Sequence, residues 1–173
     1  MKPQRQYPAL RGPARSARLL CLLVPATLFS QTLEFSSAGA PTGGRVTLEI
    51  ALRSPAGKAP VALQWETSIP AGQLSLVDRN LAPGPALQAT DKSLNCSVKL
   101  ARTKGTAEFT SVCIIAGGLA PIPDGVVALL RIQVAPDAAA GFHRLRVKGI
   151  AVAKNLKEAS LKVTEPIVTV REK

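Results

Sequence analysis

Residues 93–116 read SLNCSVKLARTKGTAEFTSVCIIA, and this stretch restricts the fold more than any other part of the chain. Lys104-Gly105 is its strongest turn signal, because glycine takes φ > 0 without steric cost. A two-residue loop there sets Thr103 against Thr106, and counting outward sets Cys96 against Cys113. Thr103/Thr106 is then a hydrogen-bonded pair, and the pair type alternates away from the loop. The cysteines fall in a narrow, non-hydrogen-bonded pair with Cα atoms ~4.5 Å apart. That spacing lies at the short end of disulfide geometry. Period-2 alternation puts Val98, Leu100, Phe109 and Ile115 on the cysteine face, which is expected to be core. Asn95, Ser97, Lys99, Glu108 and Thr110 take the opposite face, which is expected to meet solvent. The pair reads either as a disulfide or as two buried thiols on neighbouring strands. A disulfide closing a loop of this size contributes ~3 kcal/mol.

The N-terminus bears on that choice. Lys2, Arg5, Arg11, Arg15 and Arg18 form a basic segment without an acid, followed by the apolar run Leu19 to Phe29. This is the pattern of a signal peptide over residues 1–30, and its apolar run is too short to span a bilayer. Cleavage is expected after Ser30, with a later cut near Ala40 or a retained anchor as alternatives. Cys21 follows the bulky Leu20, which argues against a lipid anchor. An exported chain meets oxidising conditions, which favours the disulfide, and loss of Cys21 leaves an even cysteine count. The leader also carries five of the 22 basic residues, leaving 17 against 11 acids and a net charge of +6. That balance does not call for nucleic acid. Membrane contact is expected only through the leader before cleavage, and the location is secreted, periplasmic or at the cell surface.

The rest of the chain alternates short apolar runs with proline and glycine punctuation. Residues 31–44 are small, polar and glycine-rich, and read as a flexible linker after a short edge strand over Thr32 to Phe35. Residues 45–173 read as one domain. Arg45 to Arg53 alternates cleanly, with Val46, Leu48, Ile50 and Leu52 on one face. Val61 to Ile69 alternates again, with Leu63, Trp65 and Ile69 inward. Gln73 to Val77, Val126 to Ala135, Phe142 to Ala153, Ser160 to Val163 and Ile167 to Val170 supply further β-runs. About nine strands without a helix of convincing length indicate an all-β, antiparallel β-sandwich.

Three motifs carry a resemblance. RVTLEIAL at 45–52 is followed by VALQWET at 61–67, and DGVVALLRIQV at 124–134 is followed by AAAG at 138–141. Over roughly residues 42–171 the chain resembles the cohesin-like branch of the carbohydrate-binding-module superfamily. The resemblance implies a nine-stranded jelly-roll sandwich. It implies binding as well, since cohesins bind dockerins and related modules bind polysaccharides.

Little in the sequence carries catalysis. The lone histidine, His143, reads as a solvated strand residue beside Arg144, and no G-x-S-x-G elbow accompanies it. The acids are scattered with no spacing that singles out a glycosidase pair. No zinc-type Cys/His spacing or calcium loop is present, and Asp124 in its Pro-Asp-Gly turn reads as a turn former. Neither a cofactor nor a metal is expected. Trp65 reads as core, so no flat aromatic strip is expected. The sequence therefore reads as an exported, non-catalytic binding module mediating protein–protein or cell-surface assembly, with an unidentified protein as partner. Its expected contact surface includes Lys99, Glu108 and Thr110. The alternative is a carbohydrate-binding module for a soluble glycan, which exposure of Trp65 or Phe142 would favour. A hydrolase built on His143 is the third reading.

Overall fold

The computed structural model describes residues 30–79, 81–103 and 106–172. Residues 1–29, which hold almost all of the expected leader and Cys21, lie outside the described residues, as does the Lys104-Gly105 loop. The strands are β1 (Gln31–Phe35), β2 (Ala38–Pro41), β3 (Arg45–Arg53), β4 (Ala62–Pro70), β5 (Leu74–Leu76) and β6 (Ala82–Pro83). A four-residue helix, α1 (Pro85–Gln88), precedes β7 (Ser93–Thr103), β8 (Thr106–Ala116) and β9 (Gly125–Val134). β10 (Gly141–Arg144), β11 (Arg146–Val152), β12 (Glu158–Ala159), β13 (Leu161–Val163) and β14 (Ile167–Arg171) complete the order.

These segments form a sandwich. One sheet runs β13-β1-β3-β9-β5 with β6 also on β9, the other runs β12-β11-β4-β8-β7, and β10-β14-β2 form a small third sheet. The segment count falls to nine when strands that change sheet are joined. The runs β1–β2 and β13–β14 each leave the six-stranded sheet for the small one, and β10–β11 leaves the small sheet for the five-stranded one. With β6 and β12 set aside as two-residue bridges, nine runs remain, as the jelly-roll expectation required.

The alternating runs bury the faces their sequence assigned. Val46, Leu48, Ile50 and Leu52 of β3 pack against Leu63, Trp65 and Ile69 of β4 in a single core with Leu130, Ile132 and Val134 of β9. Aliphatic residues fill this core and Trp65, 1% exposed, is its largest fully buried side chain. The second face of β9 is buried only at Val127, in the half where α1 packs and β6 pairs along the strand's edge, and Arg131 beyond them is exposed. The covering is tight. A Cβ at Gly84 would meet the Val126 carbonyl oxygen inside any allowed contact, so only glycine lets the loop lie on the strand.

Two expectations are corrected. The strand expected over Thr32 to Phe35 forms as β1, but it is paired on both sides, antiparallel with β3 and parallel with β13, and the linker expected after it is structured, with β2 parallel to β14. Leu33, Phe35 and Ala40 are buried in the core. Burial and distant pairing here override the weak β-propensity of small residues. The domain therefore begins at β1 rather than at residue 45. The second correction concerns the hairpin. Its cysteine face is core at Cys113 and Ile115, but Val98 and Phe109 are half-buried and Leu100 is 54% exposed. The opposing edge strand β5 is only three residues long, so the hairpin tip overhangs the facing sheet.

Lys92 is the only buried charged side chain among the described residues, at 8% exposure. Its Nζ donates to the carbonyls of Val61 (2.9 Å), Gly118 (3.1 Å) and Gly117. Three donors meet three acceptors, which offsets the cost of burying an ammonium without a counter-ion. The side chain pins the entry of β7 to the start of β4 and to the loop after β8.

Candidate functional site

The hairpin register is the one counted from the sequence. Thr103 pairs with Thr106, Leu100 with Phe109, and Cys96 with Cys113. The two cysteines form a disulfide with Cα atoms 4.1 Å apart, the spacing of a narrow pair. The crosslink lies at the core face next to Trp65, which is the register partner of Cys113 across β4 and β8. Ser111 Oγ lies 3.5 Å from the Cys113 sulfur in the same buried row.

The opposite face of this sheet is its solvent face, and strand pairing sets its residues in rows. Asn95, Ile114, Gln64 and Ile150 form one row across β7, β8, β4 and β11. Ser97, Val112, Glu66 and Lys148 form the next, and Lys99, Thr110, Ser68 and Arg146 the third. Lys99, Glu108 and Thr110 thus share this face, with Lys99 directly opposite Thr110. Ile114 is 41% exposed and Ile150 39% exposed, flanking Gln64. Two ion pairs border them. Lys148 Nζ reaches Glu66 Oε1 at 3.0 Å, and Arg146 Nη2 bonds Glu108 Oε1 at 2.6 Å. These pairs are exposed and add little stability. They tie β11 to β4 and, across β4, to β8.

The face is shallow. A depression of about 170 Å³ lies over Gly149 between Gln64, Lys148 and Ile150, and one of about 320 Å³ lies between Glu66, Ser68 and Arg146. Neither has the depth of a small-molecule pocket, and together they suit the relief of a protein contact. Ile114 was legible from the hairpin count, which turns it outward opposite Asn95. Ile150, Arg146 and Lys148 were not, because the pairing of β11 with β4 has no local signal.

The remaining candidates lie elsewhere. His143 pairs with Val168 on β14, and its Nε2 sits 2.9 Å from the Ala139 carbonyl oxygen, so the ring is tied to backbone. Phe142 beside it is 81% exposed. Asp124 is exposed in its loop, and no cluster of three or more His, Cys, Asp or Glu side chains is placed to hold a metal among the described residues. Among those residues no helix is long and apolar enough to cross a membrane.

Fold and surface together define a jelly-roll β-sandwich with an open, shallow sheet face, and this fold is that of cohesins. The seventh ScaB type I cohesin from Pseudobacteroides cellulosolvens matches at a TM-score of 0.62 and 17% identity, over 84% of this chain and 95% of that one. A chain of the type I cohesin–dockerin complex Coh-OlpA–Doc918 from Clostridium thermocellum matches at 0.64 and 16% identity, over 82% and 99%. A non-cellulosomal cohesin from the archaeon Archaeoglobus fulgidus matches at 0.53 and 13%, over 83% and 92%. No protein-family model matches the sequence, and no curated protein matches it.

Proposed function

We propose that this is an exported, non-catalytic cohesin-like module that docks a protein partner on the outer face of the β12-β11-β4-β8-β7 sheet. The observation that carries the reading is the row Ile114–Gln64–Ile150, two exposed aliphatic side chains toward one end of a shallow sheet face whose next rows are charged. Apolar centres with polar rims are the anatomy of protein interfaces. Lys99, Glu108 and Thr110 belong to the rim. Structures of the same fold include complexes with dockerins, which supports a protein as the partner class. The basic leader with its apolar run and the Cys96–Cys113 disulfide support export to an oxidising compartment. Assembly at the cell surface is part of the same reading. The tie of His143 Nε2 to the Ala139 carbonyl oxygen supports the non-catalytic reading over a hydrolase.

The test is capture from envelope and secreted fractions of the source organism on the immobilised, oxidised protein, read by mass spectrometry. The expected result is a saturable partner that free protein competes away and that the Ile114→Asp/Ile150→Asp variant no longer retains, at an unchanged melting temperature. Equal retention by the variant would remove this face from the function. One observation favours the glycan reading: Phe142, 81% exposed, offers a ring for stacking on a sugar. A polysaccharide screen in which binding vanishes with Phe142→Ala would establish that reading instead.

A further inference from the structure

Among the described residues the five-stranded sheet ends at β7, which pairs there with β8 and with no other strand. This edge is eleven residues long. The other edges are short: β5 and β13 have three residues, β12 has two, and β10 and β2 have four. Proteins keep edge strands short or cover them, because an open row of N–H and C=O groups templates pairing with another chain. The long open edge therefore needs an account.

Two further observations bear on it. Cys96 and Cys113 form a narrow pair, so by alternation Val98 and Leu100 also belong to narrow pairs. In such pairs the backbone N–H and C=O point away from the partner strand. The backbone groups of Val98 and Leu100 thus face the open edge. Their side chains point the other way from the solvent face, into a groove of about 500 Å³ shared with Leu76 and Phe109. The groove is the space left where the hairpin tip overhangs β5. The same two residues therefore offer unpaired hydrogen-bonding groups at the edge and apolar wall inside the groove.

Once its ion pairs are set aside, the charges that border it among the described residues are basic. Asp78 in the groove wall is neutralised by Arg131 at 2.9 Å. Glu108 on the neighbouring strand is held by Arg146. Arg79, Lys99 and Arg102 are exposed around the groove and its edge, and none of them forms an ion pair with a described residue.

We propose that β7 is a second docking edge, at which an extended segment of a partner protein, apolar at alternate residues and acidic at its flanks, adds as a further strand. Strand addition takes its affinity from main-chain bonds and its specificity from pockets for alternate side chains. Here the main-chain bonds come from the outward groups of Val98 and Leu100. The groove takes every second side chain of the incoming segment, and Arg79, Lys99 and Arg102 meet its acids. A second copy of this chain fits less well, because edge-to-edge pairing brings Lys99 and Arg102 of both copies onto one seam. This edge shares Lys99 with the rim of the outer sheet face but none of that face's apolar row, and either can operate without the other.

The test is titration of the ¹⁵N-labelled, oxidised protein with three synthetic peptides: EVTVTVE, its lysine-flanked counterpart KVTVTVK, and the scramble VVVTTEE. Saturable shifts are expected with EVTVTVE alone, confined to β7 and residues 75–79, with amide exchange at Val98 and Leu100 slowed at least tenfold. Salt at 0.5 M should weaken binding several-fold, since the charges are exposed. Leu100→Pro deletes an edge-facing N–H without touching a bond to β8, a position where an edge strand accepts proline. It should weaken EVTVTVE at least tenfold while the melting temperature holds. Leu100→Thr, which keeps the N–H and shortens the groove wall, should weaken it less and serves if the proline variant does not fold. Equal binding of the scramble, shifts on the outer sheet face, no shift at 1 mM peptide, or dimerisation through β7 without peptide would each overturn the proposal.

Discussion

Reduction of the Cys96–Cys113 disulfide should lower stability by about 3 kcal/mol, and the structure supplies each step of that figure. The crosslink spans 17 residues of sequence. Closing a loop of that length in the unfolded chain removes roughly 11 cal/mol/K of entropy, or about 3 kcal/mol at 25 °C. A domain of roughly 140 residues unfolds with about 0.3 kcal/mol/K of entropy near its midpoint, so the melting temperature should fall by about 10 °C. Reduction is a cleaner perturbation than Cys96→Ala/Cys113→Ala. Cys113 is fully buried, and truncating it adds a cavity cost to the loop term. Trp65, the chain's one tryptophan and the register partner of Cys113, provides the fluorescence signal for urea unfolding with and without reductant. The oxidised protein should also show the smaller m-value, because its crosslinked unfolded state exposes less surface. A difference under about 1 kcal/mol between the two forms would refute the loop-closure reasoning.

Three further outcomes follow from single side chains. Lys92→Met leaves the carbonyls of Val61, Gly117 and Gly118 without their donor and should cost about 3 kcal/mol in denaturant unfolding; a loss below 1 kcal/mol would mean that water replaces the ammonium. Leu33→Ala should cost about 3 kcal/mol because β1 is part of the core, whereas a linker position would cost nothing measurable. Gly149→Ala places a Cβ 2.9 Å from the Gln64 carbonyl oxygen and 3.1 Å from Leu161 Cδ2, and overpacking of this kind should cost about 2 kcal/mol by thermal melting.

What the sequence disclosed divides by range. The hairpin was legible to the residue, because its turn, its alternation and both cysteines lie within one local strand pair. The alternation of β3 and β4 named their buried faces for the same reason. The stretch after Phe35 was misread because Ala38–Pro41 has no propensity of its own and finds its partner in β14, more than a hundred residues on. Leu100 was misread differently. Alternation says which way a side chain points but not whether anything stands opposite, and β5 stops short of it. The outer face was legible along β7 and β8, where one count fixes every residue. Its other half on β4 and β11 depends on which strands become neighbours, and that is decided by the whole sandwich.

The parallel pairing of β2 with β14 has a consequence for how such a chain comes into being. β1 finds β3 within about twenty residues, but among the described residues β2 has no strand partner until β14 is made. The small sheet β10-β14-β2 is therefore absent from every nascent chain shorter than the last strand. Contacts of this range are slow to form. A polypeptide growing from its N-terminus keeps that seam unzipped until Ile167–Arg171 is made, and that strand acts as the latch.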